Sequence, residues 1–298
     1  MPAMDALSPN SPMPHAPGRP PATARPPRYD FSLIDRLPSL DVAGCRLYFG
    51  HDAAAPAPAL LFVAGAYHGA WCYSNYLDYF ARRGVSCFAI DLPGHGNLAQ
   101  AGATDLDITT LGSHLEQACR ALGRPLVLVG HSMGALPVML AASRGAAHAM
   151  VLMAPSPPGN LPGARALPEV PTDSLKAPPA ESEIRRRFLA VGDERDVTPI
   201  VERLTPESPA ILNDRYLLRV AVDPAAIRCP GVCLEAQLDT PDRHPEGQDR
   251  AIADFLGLRH AVLHGQPHCM MYSDRWAQSA TALLEWYRSL TAEAGGRY

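Results

Sequence analysis

Short apolar runs alternate with helical patterns along most of this 298-residue chain. Several runs, such as Leu-Leu-Phe-Val at 60–63 and Leu-Val-Leu-Val at 126–129, are apolar at every position, as expected of strands buried on both faces. The predicted strands cover residues 31–37, 45–49, 60–63, 85–90, 126–129, 149–153, 232–238 and 261–263. Helical patterns lie near 70–83, 107–122, 133–144, 245–257 and 273–291. This alternation predicts an α/β fold with a mainly parallel sheet of about eight strands and helices on both faces.

The alternation stops between residues 155 and 225, after the sixth predicted strand. This segment is rich in proline and contains two helical patterns, one near 181–191 and one that begins at Thr205. Thr205 is the predicted N-cap of the second helix, and Pro206 suits its first turn. A mostly helical insertion within an α/β sheet predicts a lid over a site. The sheet core then consists of residues 29–154 and 226–298.

The first 28 residues contain nine prolines and almost no large apolar side chains. Such a segment buries too little surface to offset the entropy lost on ordering, so we predict a disordered tail. The net charge of -4 argues against a nucleic-acid partner. No apolar run reaches the roughly 18 residues of a membrane helix, and the N-terminus lacks the apolar region of a secretory signal. Seven cysteines that fit no disulfide framework then favour a cytoplasmic location.

The strongest chemical signal is Gly-His-Ser-Met-Gly at residues 130–134. It follows an apolar strand and precedes a helical pattern, which is the context that a GxSxG nucleophile turn requires. The glycines allow a tight turn, so the hydroxyl of Ser132 is expected to project above the sheet. Because a serine hydroxyl is a weak nucleophile, it needs a base nearby.

The best candidate for that base is His268, which follows the last predicted strand directly. His264 and His260 are its rivals, but they lie beside or within the strand and are poorly placed to reach over the sheet. The two histidines at 264 and 268 straddle Gly265 and Pro267, which argues against a helical metal pair.

A catalytic histidine also needs a carboxylate that orients it and stabilises its cation. Asp239 ends a predicted strand, at the edge of the sheet where active sites of α/β proteins lie. Asp242, three residues further into the loop, is the alternative. Glu235 lies inside the strand and has no evident role.

The order Ser132, Asp239, His268 is the order of one hydrolase fold, and the chain resembles the α/β-hydrolase superfamily over most of residues 30–290. Asp-Leu-Pro-Gly-His-Gly at 91–96 resembles the structural DxxGxG turn that follows the fourth strand in that family. The resemblance therefore implies that His95 is a loop residue rather than a catalyst.

Residues 64–71, Ala-Gly-Ala-Tyr-His-Gly-Ala-Trp, are similar to the HGxxHGxW loop of small-ester hydrolases and hydroxynitrile lyases, including plant methylesterases. The resemblance implies an oxyanion hole made by the backbone N–H groups of Ala66 and Met133, with Tyr67 at the mouth of the substrate pocket. It also implies that His68 is a loop residue. The chain departs from the pattern at Ala64, where these relatives carry histidine.

No metal, phosphate-loop or dinucleotide motif is present, so no cofactor or metal is expected. Together these features predict a serine hydrolase that cleaves a small carboxylic ester through an acyl-enzyme. A thioesterase or acyltransferase acting on a carrier-bound acyl group is one alternative, and a non-hydrolytic binding protein or lyase is the other. The run of arginines at 185–187 is expected to be a solvated helix face, or else to attract an acidic substrate.

Overall fold

The computed structural model describes residues 29–53, 57–101 and 103–295. The predicted tail, residues 1–28, lies outside the described residues. Within them, no helix is both long enough and apolar enough to cross a lipid bilayer.

Eight strands form one sheet in the order β1-β2-β4-β3-β5-β6-β7-β8. Their bounds are β1 Ser39–Val42, β2 Cys45–His51, β3 Ala59–Val63, β4 Cys87–Asp91, β5 Leu126–His131, β6 Ala149–Met153, β7 Gly231–Ala236 and β8 Arg259–Leu263. The β1–β2 and β2–β4 pairs are antiparallel, and the other five neighbouring pairs are parallel. The prediction of a mainly parallel sheet is therefore confirmed.

Eight helices flank or extend the sheet within the described residues. They are α1 Ser74–Ala81, α2 Ile108–Leu122, α3 Ala135–Ser143, α4 Glu181–Glu183, α5 Thr198–Val201, α6 Pro209–Tyr216, α7 Gln248–Leu256 and α8 Trp276–Gly295. Side chains of each central strand alternate between two buried apolar clusters. In β3, Leu60 and Phe62 belong to one cluster, whereas Leu61 and Val63 belong to the other. This burial on both faces explains why these strands are continuously apolar.

The prediction of a first strand at residues 31–37 is wrong. Residues Ile34–Arg36 form a 3₁₀ turn, and the true β1 follows it. Phe31 and Ile34 are both buried at a spacing of three residues, which suits a helical turn rather than a strand. Phe31 packs edge-on against Trp71, with ring centroids 4.7 Å apart. Tertiary packing of these apolar residues therefore overrides their strand propensity.

Residues 154–230 connect β6 to β7, and we call them the β6–β7 segment. The helix predicted near 181–191 is present as α4, which continues into a π-helix at Ile184–Leu189. The helix predicted from Thr205 begins instead at Pro209, where the Ser208 side chain caps it by accepting from the Ala210 N–H (3.2 Å). The Thr205 N–H donates to the Tyr67 carbonyl (3.0 Å), so this residue holds a core loop.

Candidate active site

Ser132 occupies a strained turn between β5 and α3. Its φ is +52°, a left-handed conformation that a serine rarely adopts. The turn also brings backbones too close for side chains at its glycines. A Cβ on Gly134 would lie 2.1 Å from the Ala64 carbonyl oxygen, and one on Gly130 would lie 2.8 Å from the Cα of Ala135. The GxSxG glycines are therefore required by close packing.

The structure brings Ser132, His268 and Asp239 together in one chain of hydrogen bonds. His268 Nε2 lies 2.9 Å from the Ser132 hydroxyl, and His268 Nδ1 lies 2.5 Å from a carboxylate oxygen of Asp239. Burial alone would raise the pKa of Asp239, but the neighbouring His268 and His244 lower it to about 2. Asp239 is therefore ionised at neutral pH, and it fixes the proton of His268 on Nδ1. That tautomer leaves Nε2 free to accept a proton from Ser132.

The alternative carboxylate does not reach this histidine. The Asp242 side chain is about half exposed, and its nearest cation is Arg186, 3.5 Å away. Glu235, which had no evident role in the sequence, lies 2.8 Å from His260 Nε2 across the β7–β8 pair.

We call Ser132, Asp239 and His268 the triad. The other histidines nearby are hydrogen-bonded to other groups or lie too far from Ser132. His264 is exposed beyond the end of β8. His131 is buried, and its Nε2 lies 2.9 Å from the His268 carbonyl oxygen. Burial lowers the pKa of His131 far below its usual range, so it is a neutral donor that supports the His268 backbone.

A second buried histidine–carboxylate pair lies behind Asp239, and sequence reasoning missed it. His244 Nδ1 lies 3.5 Å from Asp239, and His244 Nε2 is hydrogen-bonded to Asp249. Burial alone would lower the pKa of His244, but the carboxylates of Asp249 and Asp239 raise it. Ligand atoms of Asp239, His244 and His268 also lie close enough together for a metal ion. A cation there would compete for the triad's own hydrogen bonds.

The loop that follows β3 lies against the Ser132 turn. A Cβ on Gly65 would lie 2.9 Å from the Ser132 Cβ, so the two backbones touch. The Ala66 N–H donates to no other residue in the described part of the chain. Met133 is the second residue of the helical turn after β5, where backbone N–H groups lack partners within a helix. Two backbone donors therefore stand beside Ser132.

His68 fixes the carbonyl side of this loop. Its Nδ1 lies 2.8 Å from the Ala66 carbonyl oxygen, and its Nε2 lies 2.8 Å from the Tyr272 hydroxyl. Complete burial lowers the pKa of His68 to about 4, so the ring is neutral. Because a carbonyl only accepts, Nδ1 carries the proton. His68 therefore has a structural role, as expected.

Glu207 of the β6–β7 segment fixes the other side of the loop, which no sequence motif indicated. Its Oε2 accepts from the Tyr67 N–H (2.9 Å) and lies 3.0 Å from His95 Nε2. Burial would lower the pKa of His95, but the adjacent Glu207 carboxylate raises it to about 9. His95 is thus a buried cation that anchors Glu207. Tyr67 has a φ of +67° and lines the cavity.

The triad opens into a cavity of about 370 Å³. The core contributes the triad, the loop at 65–68 and the Ser132 turn, while the β6–β7 segment forms much of the opposite wall. Three arginines line the cavity: Arg187, Arg215 and Arg243. Of the predicted run at 185–187, only Arg187 lines the cavity. Arg185 pairs with Glu181, and Arg186 pairs with Asp242 and with Glu183.

Similarity to solved structures agrees with this architecture. Tomato methylketone synthase I, in complex with 2-tridecanone, aligns with a TM-score of 0.63 at 16% identity, over 78% of this chain and 98% of that one. A methylesterase, MES16 from Arabidopsis, aligns with a TM-score of 0.62 at 20% identity, over 79% and 99%. A thioesterase domain from the curacin biosynthetic pathway aligns with a TM-score of 0.56 at 17% identity, over 85% and 99%. These identities support the fold alone.

The sequence matches none of the curated proteins. The family profile described as "Alpha/beta hydrolase family" does match, over residues 60–295. That match starts at β3 and spans the Ser132 turn, Asp239 and His268. On the strength of this match and of the sheet topology, the chain belongs to the alpha/beta hydrolase family.

Proposed function

We propose that this chain is a serine hydrolase that cleaves a carboxylic ester through an acyl-enzyme intermediate. The observation that carries the proposal is His268, which lies within hydrogen-bond distance of Ser132 on one side and of Asp239 on the other. Nucleophile, base and orienting acid in one line are the arrangement that this mechanism requires, whatever the order of the residues along the chain.

In the proposed reaction, Ser132 Oγ attacks the ester carbonyl while His268 Nε2 takes the hydroxyl proton. Ionised Asp239 stabilises the resulting imidazolium. The N–H groups of Ala66 and Met133 bind the oxyanion of the tetrahedral intermediate. His268 then donates its proton to the leaving alcohol, and a water molecule activated by His268 hydrolyses the acyl-enzyme.

The β6–β7 segment is the proposed lid of this site, and Tyr67 the proposed substrate contact at its mouth. The segment supports this role because it lines the cavity opposite the triad and contacts the loop at Tyr67 through Thr205 and Glu207. The cytoplasm is the proposed location, since all seven cysteines are free thiols. We propose no cofactor for this chemistry.

Labelling by a fluorophosphonate, followed by hydrolysis assays with p-nitrophenyl acetate and butyrate, tests the proposal. We expect wild-type protein and the control Ser182→Ala, an exposed serine on α4, to be labelled and active. Ser132→Ala is expected to lose labelling and on the order of 10⁶ in kcat. A folded Ser132→Ala protein that keeps a few per cent of the wild-type rate would disprove the assignment.

Thioester hydrolysis or acyl transfer is the second candidate, because the same triad attacks either carbonyl and one structural neighbour is a thioesterase domain. A matched neutral pair, ethyl butyrate and S-ethyl thiobutyrate, separates the two reactions. Because the thiolate is the better leaving group, each kcat/KM is divided by the rate constant for hydroxide hydrolysis of the same compound, and the ester proposal predicts the larger ratio for the oxygen ester. Labelling without turnover of either substrate favours the non-hydrolytic alternative.

A further inference from the structure

Three separate elements each place one arginine on the wall of the triad's cavity. Arg187 comes from the π-helix after α4, Arg215 from α6, and Arg243 from the loop that follows β7. All three are only partly exposed. Because arginine stays protonated in proteins, each of them brings a full positive charge to the cavity.

Among the described residues, Arg215 pairs with no acidic side chain. Its Nε donates to the Ser156 hydroxyl (2.6 Å), and one terminal nitrogen donates to the Arg243 carbonyl (3.3 Å), so both acceptors are neutral. Burial is the main cause that lowers the pKa of Arg215; the charges of Arg243 and Arg187 add to it, whereas Tyr216 and Asp239 partly oppose it. A buried cation in such surroundings is stabilised by an anion.

Arg243 also pairs with no acidic side chain among the described residues. Its guanidinium carbon lies 5.2 Å from the centre of the Tyr216 ring, and that of Arg215 lies 5.3 Å from the same ring. A ring face attracts cations but does not neutralise them. Within the described residues, no carboxylate lies within 4 Å of the side-chain nitrogens of either arginine.

The acidic residues of the cavity do not balance these charges. Glu183 lies 3.2 Å from Arg187, whose Nε is still buried without a hydrogen-bond partner among the described residues. Asp239 is already engaged by His268 and His244. The cavity therefore holds two arginines, Arg215 and Arg243, that form no ion pair with a carboxylate of the described residues.

We propose that the substrate is an ester that carries an anionic group, a carboxylate or a phosphate, and that Arg215 and Arg243 bind this group while Ser132 attacks the ester. This inference rests on the proposed function and adds the substrate class to it. Guanidinium groups match the oxygens of carboxylates and phosphates in pairs, which makes arginine suited to such groups. Ser132 and both arginines line the same cavity of about 370 Å³, so one small molecule can present its ester to Ser132 and its anion to the arginines.

A structural role for these arginines is the competing explanation. Arg215 connects Ser156 to the carbonyl of Arg243, so it ties the start of the β6–β7 segment to the loop after β7. A purely structural cluster stabilises the fold but does not distinguish charged from neutral substrates. Charge selectivity therefore separates the two explanations.

Three esters with the same p-nitrophenyl leaving group supply the test. Mono-p-nitrophenyl adipate carries a carboxylate, its methyl ester is the neutral control, and p-nitrophenyl 5-phosphonopentanoate carries a phosphonate in place of the phosphate. We expect kcat/KM to be about 10- to 100-fold higher for an anionic ester than for the neutral one, as for a charge-assisted hydrogen bond. The ratio between the two anionic esters identifies which anion the site prefers.

Variants assign the selectivity to residues. Arg243→Gln and Arg215→Gln are expected to lower kcat/KM about 10- to 100-fold on the anionic esters and less than about threefold on the neutral one. Arg243→Gln keeps the backbone carbonyl that Arg215 binds, so it remains informative if Arg215→Gln fails to fold. Arg186→Gln is the matched control, because its side chain is exposed and outside the cavity.

Two results would overturn the inference. One is an equal kcat/KM for the neutral and the anionic esters, and the other is an equal loss of kcat/KM on all three esters in Arg243→Gln. Failure of the proposed function looks different: no ester is turned over and no serine is labelled. In that case, calorimetric titration of Ser132→Ala with monomethyl adipate and with dimethyl adipate still decides the anion question. Tighter binding of the monoanion, lost in Ser132→Ala/Arg243→Gln, supports the arginine site, and equal binding of both compounds refutes it.

Discussion

The two walls of the cavity are built in different ways. The core wall consists of the Ser132 turn, the loop at 65–68, Asp239 and His268, and it is fixed mostly by the backbone. Ser132 and Tyr67 hold left-handed conformations, and glycines allow the Ser132 turn and the loop to touch. The segment wall is the part of the cavity lined by the β6–β7 segment, and it presents mostly side chains from short helices.

This difference separates the groups proposed for the reaction from part of the proposed substrate contacts, because Arg215 lies on the β6–β7 segment whereas Tyr67 and Arg243 lie on core elements. Groups that act on the scissile bond must be held to within fractions of an ångström, and the ends of buried parallel strands supply that rigidity. Substrate selection tolerates a softer wall, where one arginine or tyrosine is exchanged without disturbing the sheet. Glu207 joins the two walls through the Tyr67 N–H, and Thr205 joins them through the Tyr67 carbonyl. The predictions below test how independent the walls are.

After the loss of Ser132 itself, the largest effect is expected at the orienting acid of the core wall. Asp239→Asn keeps the shape of the side chain but removes the charge that fixes His268, so kcat should fall by roughly 10⁴. Asp242→Asn, three residues away and half exposed, should change kcat by less than about threefold, since surface substitutions have small effects. Steady-state kinetics on p-nitrophenyl butyrate measure both. The reverse ranking would move the acid role to Asp242.

The next effect concerns the backbone donor of the loop after β3. Ala66→Pro deletes one N–H from the proposed oxyanion hole, and loss of such a donor costs about 10²–10³ in kcat. Ala66→Gly is the matched control, because it keeps the N–H and removes only a methyl group. Circular dichroism and melting temperature show whether each variant is folded. A folded Ala66→Pro protein with near-normal kcat would place the oxyanion hole elsewhere.

The core wall was largely predictable from sequence, and the reason is physical. The Ser132 turn needs glycine where backbones meet, and residues that end buried strands fall at one edge of the sheet, so Asp239 and His268 can be found from pattern alone. The prediction failed at residues 31–37, where Phe31 and Ile34 pack as a turn. Local apolar content there indicated burial correctly but did not specify the backbone.

The segment wall, and the residues that hold Asp239 and the loop at 65–68 in place, could not be predicted from sequence patterns in the same way. His244, Asp249 and Glu207 lie in irregular segments, and their pairing depends on tertiary folding rather than on spacing. The position of Arg215 in the cavity could not be read from the sequence, because it depends on its contacts with Ser156 and Tyr216 in the folded chain. The start of α6 was misplaced because Thr205-Pro206 and Ser208-Pro209 are equivalent capping signals, and only the contact of Thr205 with Tyr67 distinguishes them.

The link between the walls should make stability depend on pH. Protonated His95 is paired with Glu207, and its pKa is raised to about 9 from an ordinary value near 6.5. The stabilisation is therefore fully present below about pH 6.5 and is lost as the pH rises through 9. Relative to His95→Gln, the wild-type free energy of unfolding should fall by about 3 kcal/mol between these limits.

Urea denaturation at pH 6.5, 8 and 9.5 measures this difference. Arg82→Gln serves as the control for general alkaline effects, because Arg82 lies on the surface directly after α1 and, among the described residues, forms its ion pair with Asp78 alone. Parallel pH curves for wild type and His95→Gln would mean that the two walls are not joined by a charged pair.

The smallest effect tests whether the core wall extends behind the triad. His244 contacts Asp239 on one side and Asp249 on the other, so it is a positioning residue for the triad's acid. His244→Gln should lower kcat about tenfold with KM nearly unchanged, roughly 1.4 kcal/mol. It should also destabilise the fold by about 1–3 kcal/mol, because the Asp249 carboxyl group remains buried without its hydrogen-bond partner.

The double variant His244→Gln/Asp249→Asn separates positioning from folding. Two neutral amides need no counterion, so the double variant should regain most of the free energy of unfolding that His244→Gln loses. If His244 acts on Asp239 through its charge and orientation, the tenfold loss in kcat persists in the double variant, since no cation has returned to that side of the carboxylate. If His244 only neutralises Asp249, kcat recovers together with stability. Recovery of both kcat and the free energy of unfolding would show that His244 does not position Asp239.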